Sequence, residues 1–276
     1  MSVLELQEVR GPSALGGGWR RSLDLLLLIA VNEFRRSYLG TALGYLWSLA
    51  RPLLLFAVLL TVFTQAFDLG ERVQQYPLLL LLNIVLFGFF QEATTQAVSS
   101  IVNQEAIVRK TQFPRLVIPL AVVLTSVFNL GLNLVVVFAF ILAFGVGPMW
   151  TWLLLPVLLL ALFAFTTAVA ATLAALFPRF RDTAIIWSVA ATALFYATPV
   201  LYPLDILPDP LRELLALNPL APLFELARKW VIDPDAPWPV AFDSLAWLVP
   251  AAIFAVVCLL AAWIFRREAP RIAEEL

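Results

Sequence analysis

Residues 77–102 read PLLLLLNIVLFGFFQEATTQAVSSIV. A helix needs about 20 mainly apolar residues to cross the hydrocarbon core of a bilayer. This stretch supplies them with a single ionisable residue, Glu92, which lies 15 residues inward from Pro77. From Glu92 onward, Gln96, Ser99 and Asn103 follow at i+4, i+7 and i+11, one face of a helix, with Thr95 beside them. A polar stripe does not favourably face lipid. It serves either as hydrogen-bonding glue between helices or as the lining of a wet pathway.

Working outward, five further stretches meet the same length criterion: 43–67, 118–145, 151–177, 184–202 and 242–265. The expected fold is an all-α integral membrane protein with six transmembrane helices. Composition agrees: of 276 residues, 62% are hydrophobic and only 13% charged, and mean hydropathy is +0.92. Soluble domains sit near 45–50% apolar and about 25% charged. A water-soluble globular protein, a disordered chain and a nucleic-acid-binding domain are therefore excluded. The net charge of −1 gives no bulk attraction to a polyanion.

Arginine and lysine orient the bundle. Thirteen fall in the N-terminal segment, the 102–118 and 177–184 links and the C-terminal tail, against four on the other side; Arg51 lies inside the first span. By the positive-inside rule both termini face the cytoplasm. The domain plan is a cytoplasmic N-terminus at 1–42, a transmembrane domain at 43–265 and a cytoplasmic tail at 266–276. No uninterrupted apolar run opens the chain, so no cleavable leader is expected.

Within 1–42, the stretch from Trp19 to Tyr38 is too charged to span. It reads as an amphipathic interface helix flanked by Arg20, Arg21, Arg35 and Arg36, separate from the first span because Leu39-Gly40-Thr41 interrupts. Between spans five and six, 203–241 carries seven prolines from Pro208 to Pro239 and two apolar pieces, 211–217 and 220–232, each too short to cross. They suit short re-entrant helices, or amphipathic helices in a surface loop.

Catalytic chemistry finds few players. There is no histidine, and Cys258 is the only cysteine, which removes imidazole metal sites, His-based triads and thiolate clusters. Neither a catalytic set nor a metal or cofactor site is expected.

Inside the membrane, Arg51 and Glu92 fall at matched depth, roughly 22–24 Å below the outer boundary at 1.5 Å per residue. Opposite charges on consecutive helices predict an ion pair; the competing reading is that Arg51 snorkels to headgroups. Ser126, Asn129 and Asn133 form another stripe in span three. Tyr45, Phe56, Phe63 and Phe67 share a side of span one, and Trp187, Phe195 and Tyr202 a side of span five. Such aromatic stripes serve as lipid-facing or packing surfaces, or as platforms for sugar CH faces, with Asn and Gln meeting the hydroxyls.

Taken in order, several segments are informative together. NEFRRSYLGTALGYLWSLARPLL (32–54), IVRKTQFPRLVIPL (107–120), LFPRFRDT (176–183), ATPVLYPLDILP (197–208) and LNPLAPLFELARKW (217–230) occur on the expected sides. This set resembles the membrane subunit of polysaccharide-exporting ABC transporters of the type-2 permease superfamily, the O-antigen, teichoic-acid, galactan and capsule exporters. The resemblance implies a homodimer in a bacterial cytoplasmic membrane. It implies export of a lipid-linked polysaccharide, driven by a separate nucleotide-binding ABC ATPase subunit that holds the ATP and Mg. The chain has no G-x-x-x-x-G-K-[ST] sequence with which to bind ATP itself.

On this resemblance the substrate pathway runs between protomers past Tyr45, Phe56, Phe63, Glu92, Gln96, Phe195 and Tyr196. The ATPase subunit meets Arg109, Lys110, Phe113, Arg115, Arg179 and Arg181. A permease for a drug or small lipid, and less readily a membrane enzyme acting on lipid-linked sugars, are the alternatives.

Overall fold

The computed structural model describes residues 19–38, 46–105, 115–239 and 245–268, and among these it contains helices and turns but no strand. The long elements are α1 (Trp19–Tyr38), α2 (Leu46–Gln65), α3 (Tyr76–Val98), α4 (Val117–Ala143), α5 (Leu155–Leu176), α6 (Thr183–Ala197), α7 (Asp209–Ala216), α8 (Ala221–Val231) and α9 (Leu248–Glu268). A 3-10 turn, Trp150–Leu154, leads directly into α5.

Five of these helices, α2, α3, α4, α5 with its leading turn, and α9, are long and apolar enough to cross a membrane. The expected fifth crossing is shorter than its apolar stretch. α6 stops at Ala197 after 15 residues, roughly 22 Å of helix against a core of about 30 Å. The cause is local: Pro199 lacks an N–H and disfavours helical backbone at Thr198, which is extended at ψ 144.

α3 is the axis of the bundle. Its N-terminal half is apolar on every side but for Asn83, as befits a helix with no solvent face. Of its most hydropathic window, 78% is buried, against 6% for α2. α3 packs most extensively on α4, then α5, with α2, α6 and α8 completing the ring. Phe87 and Phe90 are the hub of this packing. Phe87 meets Phe195 of α6 at 5.3 Å and Phe224 of α8 at 6.3 Å. Phe90 meets Phe165 of α5 and Trp187 of α6, each at 6.0 Å. Phe165 in turn touches Phe254 of α9 at 5.2 Å.

α1 is a helix of its own that packs on α4. Thr125 Oγ1 donates to the Ala30 carbonyl at 3.2 Å, and Phe34 meets Phe128 edge-on at 5.5 Å. Leu27 and Leu28 stay exposed on its other side.

The break after α6 is held by side chains. Residues 198–203 run non-helically, and their carbonyls need donors that lipid cannot supply. Asn83 Nδ2 donates to the Pro199 carbonyl at 2.9 Å, the Tyr76 hydroxyl to the Leu201 carbonyl at 2.9 Å, and Asn218 Nδ2 to Thr198 Oγ1 at 2.8 Å. Asn83 lies seven residues along α3 from Tyr76, roughly 10 Å at 1.5 Å per residue. The broken segment therefore dips below the end of α3.

Beyond it, α7 and α8 form a short cap. The cap is fastened to the turn before α5 by Thr151 Oγ1 donating to the Trp230 carbonyl at 2.6 Å and Trp152 Nε1 to that of Val231 at 3.0 Å. Arg228 closes it with Asp205 at 3.1 Å and Asp233 at 3.7 Å.

Asn83→Leu removes the donor to a buried carbonyl and is expected to lower stability by about 1–3 kcal/mol. The check is the unfolding midpoint in detergent, together with faster proteolysis between α6 and α7. An unchanged midpoint would mean that the break holds itself.

Candidate functional site

The polar stripes of α3 and α4 face each other and join at one point. Asn129 Nδ2 donates to Glu92 Oε1 at 2.7 Å, and Gln96 Nε2 donates to the same oxygen at 3.2 Å. Asn133 Nδ2 donates to the Asn129 carbonyl at 2.9 Å, and Ser126 Oγ to that of Val122 at 3.3 Å. Asn129 and Ser126 are buried, Glu92 is half-buried, and Gln96 and Thr95 are exposed. The network thus runs from the α3–α4 seam to the open side of α3.

Arg51 does not touch Glu92. Its charge acts on the carboxylate through space, and among the described residues no ion pair within 4.0 Å joins the two. The neighbour of the carboxylate is set by helix packing: Asn129 stands on α4, which packs on α3 more extensively than α2 does, and both amide donors meet Glu92 at Oε1. Arg51 is exposed on α2, five residues from its start and so about 7.5 Å from that end, within reach of headgroups for a long side chain.

The aromatic residues divide. Phe56 is buried against Phe140 of α4, with centroids 6.3 Å apart. Phe195 is turned inward onto Phe87. Phe63 is half-buried and stacked on Phe67 at 5.2 Å. Tyr196 is exposed, its ring edge-on to Phe195 at 5.3 Å. Tyr45, Arg109, Lys110 and Phe113 lie outside the described residues.

Of the other basic residues, Arg115 is half-buried just before α4. Arg179 and Arg181 are exposed on the link between α5 and α6. Arg181 lies over the Phe177 ring at 5.1 Å, and Arg179 reaches Glu268 at the end of α9.

On the outward face of α6 two residues outside the expected set, Ser188 and Thr192, join Tyr196. Ser188, Thr192 and Tyr196 recur at i, i+4 and i+8, all exposed, and line a shallow groove with Val189 and Ala193. Ser188 Oγ donates to the Ile185 carbonyl at 2.7 Å and Thr192 Oγ1 to that of Ser188 at 2.9 Å. With their protons used on the helix backbone, both hydroxyls point lone pairs outward as acceptors. The signal was present in the spacing, masked by the larger aromatic pattern of Trp187 and Phe195. Asn83 was also passed over, although a lone amide inside an apolar run demands a partner.

α6 offers Ser188, Thr192 and Tyr196 on its groove, and α3 separately exposes Thr95 and Gln96 beside the half-buried Glu92.

The ABC-2 type transporter membrane family model matches residues 24–231, from α1 through α8. The chain is 30% identical over 254 residues to the O-antigen export system permease protein RfbA of Myxococcus xanthus, covering 91% of this chain and 95% of that one. It is 32% identical over 201 residues to the O-antigen export system permease protein RfbA of Klebsiella pneumoniae, covering 72% of this chain and 76% of the relative.

Proposed function

Because this chain belongs to the ABC-2 type transporter family, we propose that it is the permease subunit of an exporter that carries a polysaccharide, held on a lipid, across the bacterial cytoplasmic membrane. Its relatives bear the name of O-antigen export permeases. A separate ABC ATPase subunit supplies the ATP hydrolysis, with its Mg, from the arginine-bearing side, and two permease copies enclose the pathway. Both termini face the cytoplasm.

The observation that carries the substrate class is the stripe of Ser188, Thr192 and Tyr196 on the exposed face of the short apolar helix α6. A polymer of sugars presents hydroxyl donors and CH faces in repetition. Outward-pointing oxygen acceptors and a ring meet both without regard to sequence position along the polymer. Gln96, Glu92 and Phe63 continue this lining on α3 and α2. Phe56 and Phe195 support it from behind through α4 and α3. A drug or small lipid would be served equally by an apolar face alone, and the hydroxyl stripe favours the glycan.

Cysteines placed at Ser188 and Thr192, in a Cys258→Ser background, test this reading in the assembled complex. Water-soluble maleimide should label both, and added glycan should protect them. Labelling by lipid-soluble reagents alone would make the α6 face a lipid surface and remove the support for a sugar pathway.

A further inference from the structure

We propose that the end of α9 and the α5–α6 link form a binding site for one anionic phospholipid, with its phosphate held between Arg179 and Arg267. The inference rests on the chain's membrane character and not on what it exports.

α9 is peripheral: 17% of its most hydropathic window is buried. Val256, Leu259, Leu260 and Trp263 fall at i, i+3, i+4 and i+7, and all four are exposed, Leu259 at 71% and Trp263 at 56%. They form one continuous stripe the length of an acyl chain segment. Arg267 continues it at i+11, its guanidinium 5.2 Å from the centroid of the Trp263 ring.

A second guanidinium is brought to the same place from the loop after α5. Glu268 is largely covered and holds one arginine on each oxygen: Arg179 Nη1 at 4.0 Å from Oε2 and Arg267 Nε at 3.8 Å from Oε1. Arg179 also lies 5.2 Å from the centroid of Phe180, itself an exposed ring. The two arginines keep roughly half of their side-chain surface open, 49% and 56%. One carboxylate therefore positions two cations side by side, each backed by an exposed aromatic ring, at the head of a lipid-length apolar stripe.

The chemistry fits a phosphodiester. Guanidinium forks match phosphate oxygens, Trp prefers headgroup level, and the stripe accepts the acyl chain. A zwitterionic lipid brings its own ammonium beside the phosphate and competes with the arginines. An anionic headgroup does not. The site also separates Arg179 from Arg181, which lies over the Phe177 ring and takes no part in it.

The test is native mass spectrometry of the purified permease–ATPase complex titrated with phosphatidylglycerol and, separately, phosphatidylcholine. Wild type should retain one phosphatidylglycerol per permease copy at energies that strip phosphatidylcholine. Arg179→Gln with Arg267→Gln should weaken phosphatidylglycerol retention roughly tenfold or more, since each arginine near an anionic headgroup contributes about one kcal/mol, and leave phosphatidylcholine unchanged. Glu268→Gln frees both arginines from the shared carboxylate and should weaken phosphatidylglycerol retention less than the double variant does. An unchanged unfolding midpoint of the double glutamine variant controls for loss of folding.

Equal retention of the two lipids by wild type would overturn the proposal. So would a double glutamine variant that binds phosphatidylglycerol as before. Displacement of phosphatidylglycerol by polyprenyl phosphate would make the site one for a lipid carrier. Loss of the ATPase subunit with lipid retention intact would make it a protein contact.

Discussion

Asn129→Leu is expected to destabilise the bundle by about 3 kcal/mol. The side chain gives the shortest donor to Glu92, 2.7 Å, and it is buried. Hydrogen bonds to charged groups are worth about 1.5–3 kcal/mol, and leaving a buried charge uncompensated costs about 3–5 kcal/mol. Glu92 keeps Gln96 as a second donor, which holds the loss near the lower figure. In a Glu92→Gln background the same exchange should cost under about 1 kcal/mol, because a neutral amide is cheaper to leave half-satisfied.

A parallel cycle with Arg51→Met separates the two partners of Glu92. Coupling with Asn129 should be about 2 kcal/mol, and coupling with the exposed, non-contacting Arg51 below about 1 kcal/mol. Unfolding of the detergent-solubilised protein reads both cycles. A larger coupling to Arg51 than to Asn129 would mean that the two charges meet directly and that the amide is secondary.

Phe113→Asp is expected to break the working complex. The sequence around it, Arg109 to Arg115, is short, basic and bounded by Pro114, and on the proposed orientation it lies in the cytoplasm. A phenylalanine in so basic a loop suits an interface anchor, and such an anchor contributes about 2 kcal/mol or more. Its replacement by a carboxylate should reduce co-purification of the ATPase subunit on the order of thirtyfold and abolish export. Membrane insertion and the unfolding midpoint should not change. Full co-purification with normal export would remove this loop from the docking surface.

The helices long and apolar enough to cross were legible because length and hydropathy are what a bilayer demands. α2, α3, α4 and α5 fall within a few residues of their apolar stretches. Which faces are buried was not legible, and the physical reason is general. Lipid tails are as apolar as leucine, so an apolar face packs on protein or on lipid with little difference in hydrophobic energy. α2 and α3 have similar composition and opposite fates. Hence Phe56 and Phe195, which share aromatic stripes in the sequence, are turned onto Phe140 and Phe87, while Tyr196 beside Phe195 stays outside.

Polar residues were the better guide. The stripe through Glu92 and the stripe through Asn129 were each readable from spacing, and they do meet. What spacing could not give was the ranking of partners for Glu92, which depends on which neighbour packs closest. The broken end of α6 was half-readable: Pro199 announces a stop. The three donors that satisfy the break, Asn83, Tyr76 and Asn218, come from positions 20 to 125 residues away in sequence and become visible only once the chain is folded.

The most direct test of the account is transport by the purified parts. The permease and its ATPase subunit, reconstituted in proteoliposomes with a lipid-linked polysaccharide on the ATPase-accessible side, should move the glycan to the opposite side when ATP and Mg are supplied. Movement should stop without ATP, and it should fall when Thr192 and Tyr196 are replaced by leucine. ATP-dependent movement of a short lipid or drug by this complex, with the lipid-linked polysaccharide left in place, would contradict the account.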